Sequence, residues 1–486
     1  MAIHYLYGAA VQGIQQFIFQ TSQLKDIAGA SELVEQICTT AFDEFAVGGE
    51  SIIRAAGKIQ FDYDDRASCE HAVLNFPRKA MNLAPGITIS QAVVKYSDGE
   101  SFVNVVNELE ERLSVQRNRP ITPSIGLIAM KRAPKTGFPA VAVVGEELVD
   151  EATVAKRRQT DNRVIKLCEK SFDVSDLQHK MIAYDTADLT GQNDWIAIIH
   201  ADGNGLGKVV QKIGHDRVKF KKFSLLLDEA TRRAAKSAYD ATEGLWHSNI
   251  IPFRPVVLGG DDMTIICRAD IALNYTMAFM KSFERETECL LGELLDGVYK
   301  SGARKLTCCA GVAFVKSSYP FFYGYNLAEQ LCQVAKDCAH KEQDPNDLSP
   351  SCLMFHKVQD SFFVNYKDII ARELTPKTAS WQYGPYYINE HEPYWTVETL
   401  IQQVERLESI KVQERGIKNQ LREWVGLMHR NTGLAGQRLD RAKTIAGGDS
   451  LNALNELTTS SIREGQTYYP TYDVLSLYSV IYQQTK

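Results

Sequence analysis

The chain has 486 residues, 44% hydrophobic and 23% charged, an ordinary globular composition that excludes disordered and fibrous classes. Lysine and arginine total 54 against 60 aspartates and glutamates, a net charge of −6, so any nucleic-acid surface has to be a local patch. No apolar run has the roughly 18 residues of a membrane helix, no signal-peptide pattern opens the chain, and the ten scattered cysteines read as reduced core residues of a cytoplasmic protein.

β-Branched and aromatic runs ending at Gly or Asp mark strands, and apolar spacings of three and four mark helices. In chain order they predict a strand at 3–7, a long helix at about 14–45, strands at 51–55 and 59–63 around a tight turn, a helix at 69–83, a strand at 87–96 and a helix at 102–113. A mixed segment, with turn signals at Pro134 and Thr136-Gly137, leads to a second stretch. There the reading is strand 195–200, helix 205–246, strands 253–258 and 263–268 around Gly-Gly-Asp-Asp, helix 271–295, strand 306–315 and a helix to about 340. Both stretches run β-α-β-β-α-β, the ferredoxin-like order. Beyond 366 the pattern is helical, with an apolar stripe of Val397, Leu400, Ile401, Val404 and Leu407. The expected fold is therefore α+β: a first ferredoxin-like domain at 1–116, a connecting segment at 117–190, a second such domain at 191–365 and a C-terminal helical domain at 366–486.

The chemistry concentrates in the second stretch. Its first strand ends His200-Ala-Asp202-Gly-Asn204-Gly-Leu-Gly207-Lys208, and its middle hairpin reads Gly259-Gly260-Asp261-Asp262. In a ferredoxin-like sheet these are neighbours, so Asp202, Asp261 and Asp262 meet. Three converging carboxylates repel unless a cation neutralises them, and all-oxygen ligands select Mg²⁺ or Mn²⁺. Two such ions can activate a ribose 3′-hydroxyl and stabilise leaving pyrophosphate. Gly259 and Gly260 let a phosphate or base approach the backbone, and Gly203, Gly205 and Gly207 open the next helix, where free N–H groups favour phosphate. The first stretch has no carboxylate at either place: its strand continues Tyr7-Gly-Ala-Ala and its hairpin reads Arg54-Ala-Ala-Gly-Lys58. Arg54 and Lys58 could there face a triphosphate as cations. A run of cations from Lys208 through Lys212, Arg217, Lys219, Lys221, Lys222, Arg232 and Arg233 to Lys236 reads either as a solvated helix face or as an RNA- or partner-binding stripe.

At these residues the sequence resembles the large polymerase/cyclase subunit of type III CRISPR effector complexes, in its paired palm domains. Gln12…Phe17-Ile18…Leu24-Lys-Asp26-Ile-Ala-Gly29-Ala-Ser-Glu32-Leu33 is similar to the first-palm signature, His200 to Lys208 to the first catalytic strand, and Gly259 to Asp262 is the GGDD motif. The run from Ala310 through Pro320 to Lys336 is similar to the last palm strand and helix. The resemblance implies a degenerate first palm, a catalytic second palm and a nucleotidyltransferase that turns ATP into cyclic or linear oligonucleotide second messenger, cyclic oligoadenylate foremost, in antiviral defence. It implies Asp202, Asp261 and Asp262 as catalytic residues and, with Gly203, as a two-ion Mg²⁺ or Mn²⁺ site. Gly203, Asn204, Gly205, Gly207, Lys208, Gly259, Gly260 and Lys336 are the expected nucleotide contacts. ATP, and either RNA or a CRISPR effector complex, are the expected partners, a stand-alone defence polymerase built from the same two palms is equally compatible, and no membrane is expected. The family's HD nuclease motif is not matched, His215-Asp216 lying inside the second palm, and its cysteine zinc site is missing. A reading of another class is a non-catalytic RNA-binding scaffold subunit of a ribonucleoprotein; the intact aspartates argue against it.

Overall fold

The computed structural model describes residues 2–482 except 56, 119–128, 174–180, 191–193, 247, 342–343, 345–346, 360–364, 377–378 and 411–415. Parts of the expected connecting segment thus lie outside the described residues.

The first unit comprises β1 (Ile3–Gln12), α1 (Ile14–Ile18), α2 (Leu24–Cys38), β2 (Gly49–Ala55), β3 (Lys58–Tyr63), α3 (Arg66–Leu83), β4 (Thr88–Ser97) and α4 (Phe102–Arg117). Its sheet is antiparallel in the order β2-β3-β1-β4. The connecting segment holds a hairpin, β5 (Ala142–Val144) and β6 (Glu147–Val149), then α5 (Glu151–Asp161), α6 (Lys166–Phe172) and α7 (Thr186–Leu189).

The second unit comprises β7 (Trp195–Gly203), α8 (Leu206–Ile213), α9 (Arg217–Thr242), β8 (Phe253–Gly259), β9 (Asp262–Arg268), α10 (Ala272–Leu291), β10 (Cys308–Lys316), α11 (Phe321–Lys341) and β11 (Cys352–Lys357). After it come α12 (Tyr366–Ile369), β12 (Tyr386–Tyr387), α13 (Val397–Ser409), α14 (Gly416–Arg430), α15 (Thr432–Ile445), α16 (Gly448–Thr458), a hairpin of β13 (Ser461–Arg463) and β14 (Gln466–Tyr468), and α17 (Thr471–Ile481). The second sheet runs β12-β11-β10-β7-β9-β8. Its last four strands repeat the first sheet's order, and β11 joins parallel to β10.

Two expected helices are broken. The stretch 14–45 divides into α1 and α2, and 205–246 divides at Gly214–Asp216, where the Asp216 carboxylate accepts from the N–H groups of Val218 and Lys219 and starts α9 anew. His215 bonds Ser101 at 2.8 Å, so His215-Asp216 is a helix junction.

Two glycines set how layers stack. A Cβ at Gly29 would lie 1.9 Å from the Lys156 carbonyl oxygen, so α5 crosses α2 on bare backbone. A Cβ at Gly311 would lie 1.9 Å from the Ala328 carbonyl oxygen, so α11 crosses β10 in the same way. The motif around α2 is explained by this packing. Asp26 takes Arg157 of α5 at 2.8 Å, and Glu32 accepts from the Leu167 N–H at the start of α6 at 3.2 Å. The two units also meet through α9, whose Arg217 reaches Asp62 of β3 at 2.8 Å.

The apolar stripe of α13 packs into one core with strand and helix residues of the second unit. Val397, Leu400, Val404 and Leu407 share a cluster with Ala197, Ile199, Phe279 and Phe283. Among the described residues no helix is long and apolar enough to cross a membrane.

Candidate active site

β7 and the β8–β9 hairpin deliver the three aspartates. Asp202 stands opposite Cys309 of β10, and its neighbour Ala201 stands opposite Met263 of β9, so Asp202 comes alongside the start of β9. Gly259 pairs with Asp262, leaving Gly260 and Asp261 as a two-residue turn with Gly260 at φ 62°. Gly203 closes the gap: a Cβ there would stand 2.9 Å from the Asp261 Cβ, so the absence of a side chain lets the hairpin tip rest on the strand end.

The cluster is electrostatically strained. Burial, then the Asp202 charge and a hydrogen bond with Asp202, push the Asp261 carboxyl up to about 7. Burial, Asp202 and Glu329 push Asp262 up to about 7 as well. The buried Asp262 Oδ1 has no hydrogen-bond partner; the closest ring nitrogen, His200 Nδ1, is 3.4 Å away and lies 3.1 Å from the Thr264 hydroxyl. Burial lowers the His200 pKa, so that ring stays neutral at neutral pH. The compensating cation is Lys336 of α11, whose Nζ donates to Asp202 Oδ2 at 2.5 Å and to the Gly203 carbonyl at 2.8 Å. Burial lowers its pKa, but the Asp202 charge and the hydrogen bond to Asp202 outweigh that and raise it.

Three carboxylates against one ammonium leave an excess of negative charge. Among the described residues no three His, Cys, Asp or Glu side chains close into a ready-made metal cluster, Asp202 being bonded to Lys336 instead. The donor set nevertheless fits a hard divalent ion: every donor is oxygen, one is a buried orphan, and the raised carboxyl pKa values record repulsion that such an ion relieves.

The other expected contacts separate into two groups. Gly203, Gly259, Gly260 and Lys336 join the aspartates. Asn204, Gly205 and Lys208 line an adjacent cleft of about 300 Å³ with Tyr299, His340 and Asp347. Asn204 is tied by its N–H to the Thr307 carbonyl at 2.9 Å and by Nδ2 to the Thr307 hydroxyl at 3.1 Å. Gly205, at φ 68°, starts α8, and Gly207 faces open space.

Sequence reasoning missed a cross-unit contact beside the aspartates. Gln15 of α1 donates to the Tyr325 hydroxyl at 2.8 Å, and the Tyr325 ring meets His200 edge-on with centroids 5.7 Å apart. Tyr325, Glu329 and Lys336 share one face of α11 at helical spacing, a signal present in the sequence.

Two expectations meet competing uses of the same side chains. Arg54 and Lys58 are paired inside the first unit: Arg54 donates to the Cys38 and Thr39 carbonyls and pairs with Asp43 at 2.8 Å, and Lys58 pairs with Glu110 at 2.6 Å. Much of the cationic run is also used internally. Arg217 and Lys221 reach Glu50, Lys212 donates to the Val298 carbonyl, Arg232 and Arg233 pair with Glu229, and Lys236 pairs with Asp240.

Residues 195–344 match the family model described as Cas10/Cmr2, second palm domain. A search of curated proteins gives no match. Among solved structures, a Csm1–Csm4 cassette in complex with pppApA matches with a TM-score of 0.57 and 12% identity, over 98% of this chain and 69% of that one. The same cassette with cA4 matches at 0.53 and 12%, over the same shares. A Csm1–Csm4 subcomplex of the type III-A CRISPR-Csm interference complex matches at 0.57 and 12%, again over 98% and 69%. At such identities these likenesses show the fold. The family match agrees with the resemblance read from the motifs: residues 195–344 are similar to the second palm domain of Cas10/Cmr2.

Proposed function

With a Cas10/Cmr2 second palm domain at residues 195–344 as the premise, we propose that the chain is a metal-dependent nucleotidyltransferase joining ATP into cyclic or linear oligoadenylate within a type III CRISPR effector complex. The observation that carries this is the meeting of Asp202 with the Gly260-Asp261-Asp262 turn, charges held together with one buried oxygen unpartnered. The two four-strand units are then ferredoxin-like palms at 1–116 and 191–365, joined by 117–190, the first without carboxylates and the second catalytic; the residues from 366 form the helical C-terminal part. The relatives' complexes with pppApA and cA4 support adenine nucleotides as the substrate class.

Asp202, Asp261, Asp262 and the Gly203 carbonyl would hold Mg²⁺ or Mn²⁺, which when bound supplies charge neutralisation and a more acidic ribose hydroxyl. The chain's own groups position the reactants. Lys336, released from Asp202, has a triphosphate oxygen as its natural acceptor. Gly203, Gly259 and Gly260 keep side chains away from the incoming phosphates. Asn204, Gly205 and Lys208 border the cleft that takes the rest of the nucleotide. His200, neutral and buried, packs behind Asp262.

The test is incubation with labelled ATP and Mg²⁺ or Mn²⁺, with and without RNA, followed by mass spectrometry. Oligoadenylate with release of pyrophosphate is expected, with Ca²⁺ a poor substitute because its longer, looser coordination does not suit in-line phosphoryl transfer. ATP left intact in the presence of metal and RNA would sink the reading.

A further inference from the structure

The turn that carries Asp261 and Asp262 is held from outside its own ladder. The Leu258 carbonyl accepts from Lys170 Nζ of α6 at 2.9 Å. The Gly260 N–H donates to Asp228 Oδ1 of α9 at 3.3 Å, and the Gly260 carbonyl accepts from the Thr231 hydroxyl. Lys170 also lies 3.3 Å from Glu35 Oε1 of α2 and 3.7 Å from Asp228 Oδ1. A single ammonium, carried on the connecting segment's α6, therefore lies against α2 of the first unit, α9 of the second and the Leu258 carbonyl of β8.

We propose that Lys170 is a positioning residue for this turn and that, through Glu35, it couples the position of the first palm's α2 to the geometry of Asp261 and Asp262. The proposal deepens the nucleotidyltransferase reading and rests on it for its consequence in catalysis. Lys170 and Glu35 are 15% and 11% exposed, so their attraction is screened far less than that of a surface pair. The ammonium has three N–H donors for two carboxylates and a carbonyl, but it shares them unequally, at 2.9 Å from Leu258, 3.3 Å from Glu35 and 3.7 Å from Asp228. Where α2 draws it toward Glu35, Asp228 is left to the Gly260 N–H alone; where α2 withdraws, the ammonium settles on Asp228 and shares that oxygen with the Gly260 N–H. Either change moves the backbone next to two metal-ligand candidates, and constellations of this kind tolerate only about 0.5 Å of displacement. The first palm, with no carboxylates of its own at the corresponding turn, thereby acquires a role in the reaction that its sequence does not display.

The experiment uses the full chain with Lys170→Met, Lys170→Arg and Asp228→Asn. Amide hydrogen exchange is followed for the peptide spanning the turn, Mn²⁺ affinity by electron paramagnetic resonance, and kcat and KM for ATP separately. Lys170→Met is expected to speed exchange of the Gly260 and Asp261 amides about tenfold, weaken Mn²⁺ about tenfold and lower kcat about thirtyfold, with KM changing less than twofold. Lys170→Arg should recover kcat to within about threefold, because a guanidinium reaches the same acceptors. Should Lys170→Met not fold, Asp228→Asn, on the more exposed side, keeps an acceptor for the Gly260 N–H but removes the charge that strengthens that bond and attracts Lys170, and a smaller acceleration of the same exchange, about threefold, is expected. Unchanged exchange at the turn in folded Lys170→Met or Asp228→Asn protein overturns the proposal. An inactive wild type with exchange still accelerated in the variants would instead overturn the nucleotidyltransferase reading and leave the structural coupling standing.

Discussion

The two sheets share a strand order and a hairpin at the same place, and differ in what they do with charge. By register, Ala10, Gly57 and Lys58 of the first unit stand where Asp202, Asp261 and Asp262 stand in the second. Charges around the first hairpin find opposite charges or carbonyls: Lys58 has Glu110, and Arg54 has Asp43 and the end of α2. In the second, three like charges meet over one lysine and a buried oxygen is left over. The difference teaches that the fold tolerates the frustrated arrangement without requiring it. Frustration kept where a balanced version exists in the same molecule points to a ligand that completes it.

The comparison breaks most directly at the second hairpin. Asp261→Ala with Asp262→Ala should reduce oligoadenylate formation at least about 10³-fold while the metal-free melting temperature holds or rises, since removing clustered anions relieves repulsion. Product analysis beside calorimetry in chelator decides it; retained turnover would dissolve the contrast between the two units.

Lys336→Met tests the lone compensating cation. Turnover should fall about 10–100-fold for loss of a group facing transition-state charge, while Mg²⁺ binds as well or better, its competitor for Asp202 having gone. Titration calorimetry with Mg²⁺ set against initial rates separates the two effects. Weaker Mg²⁺ binding in the variant would show that Lys336 supports the site instead of competing for it.

A third comparison sets a structural carboxylate against those of the candidate site. Burial raises Glu32 of α2 from 4.5 to about 7, partly offset by Arg254. Because the folded-state value is the higher, Glu32 binds its proton more readily in the folded chain. Its contribution to stability is complete below about pH 4.5 and declines as pH rises to about 7, by roughly 3 kcal/mol at most from about 1.4 kcal/mol per unit. Denaturant unfolding between pH 5 and 8 should show a shallower decline for Glu32→Gln than for the wild type. Identical slopes would mean that Glu32 keeps its charge throughout.

The smallest effect on activity belongs to Arg54→Ala with Lys58→Ala. Product yield at subsaturating ATP should stay within about twofold, while stability drops by about 1–2 kcal/mol as two carbonyls at the end of α2 lose their donor. Initial rates and denaturant melts measure the two; a tenfold rise in KM for ATP would return the first hairpin to the mechanism.

Much of this was legible in the sequence because the signals were local. Strand periodicity located the eight strands of the two repeated orders, and the Gly-Gly-Asp-Asp turn announced its own conformation. What escaped was relational. The partners of Arg217, Asp62 and Glu50, lie more than 150 residues upstream, so the cationic run looked free. The signature around Asp26, Gly29 and Glu32 announced a family but not its physical reason, which is the seating of α5 and α6 on α2. An apolar stripe at 397–407 says that a helix buries one face, but not that the face completes the second unit's core. The helix at 205–246 was read as continuous because its cap, Asp216, sits among lysines and arginines that suit a helix equally well.

Gly311 gives the molecule an unusual dependence on something missing. The cation beside Asp202 sits on α11, and α11 reaches that depth only because β10 offers it backbone without a side chain. A methyl group at 311 would have to push the Ala328 carbonyl from 1.9 Å to an ordinary contact, and its next neighbours, the Cys332 N–H and the Leu331 Cβ, lie within 2.8 Å. The helix would lift by an ångström or more along the turn that precedes Lys336. One added carbon, with no polar atom of its own and two strand positions from Cys309, the residue opposite Asp202, would then detune the charge balance of the whole cluster. In that sense the chemistry of the second unit is specified as much by an absent atom as by the carboxylates themselves.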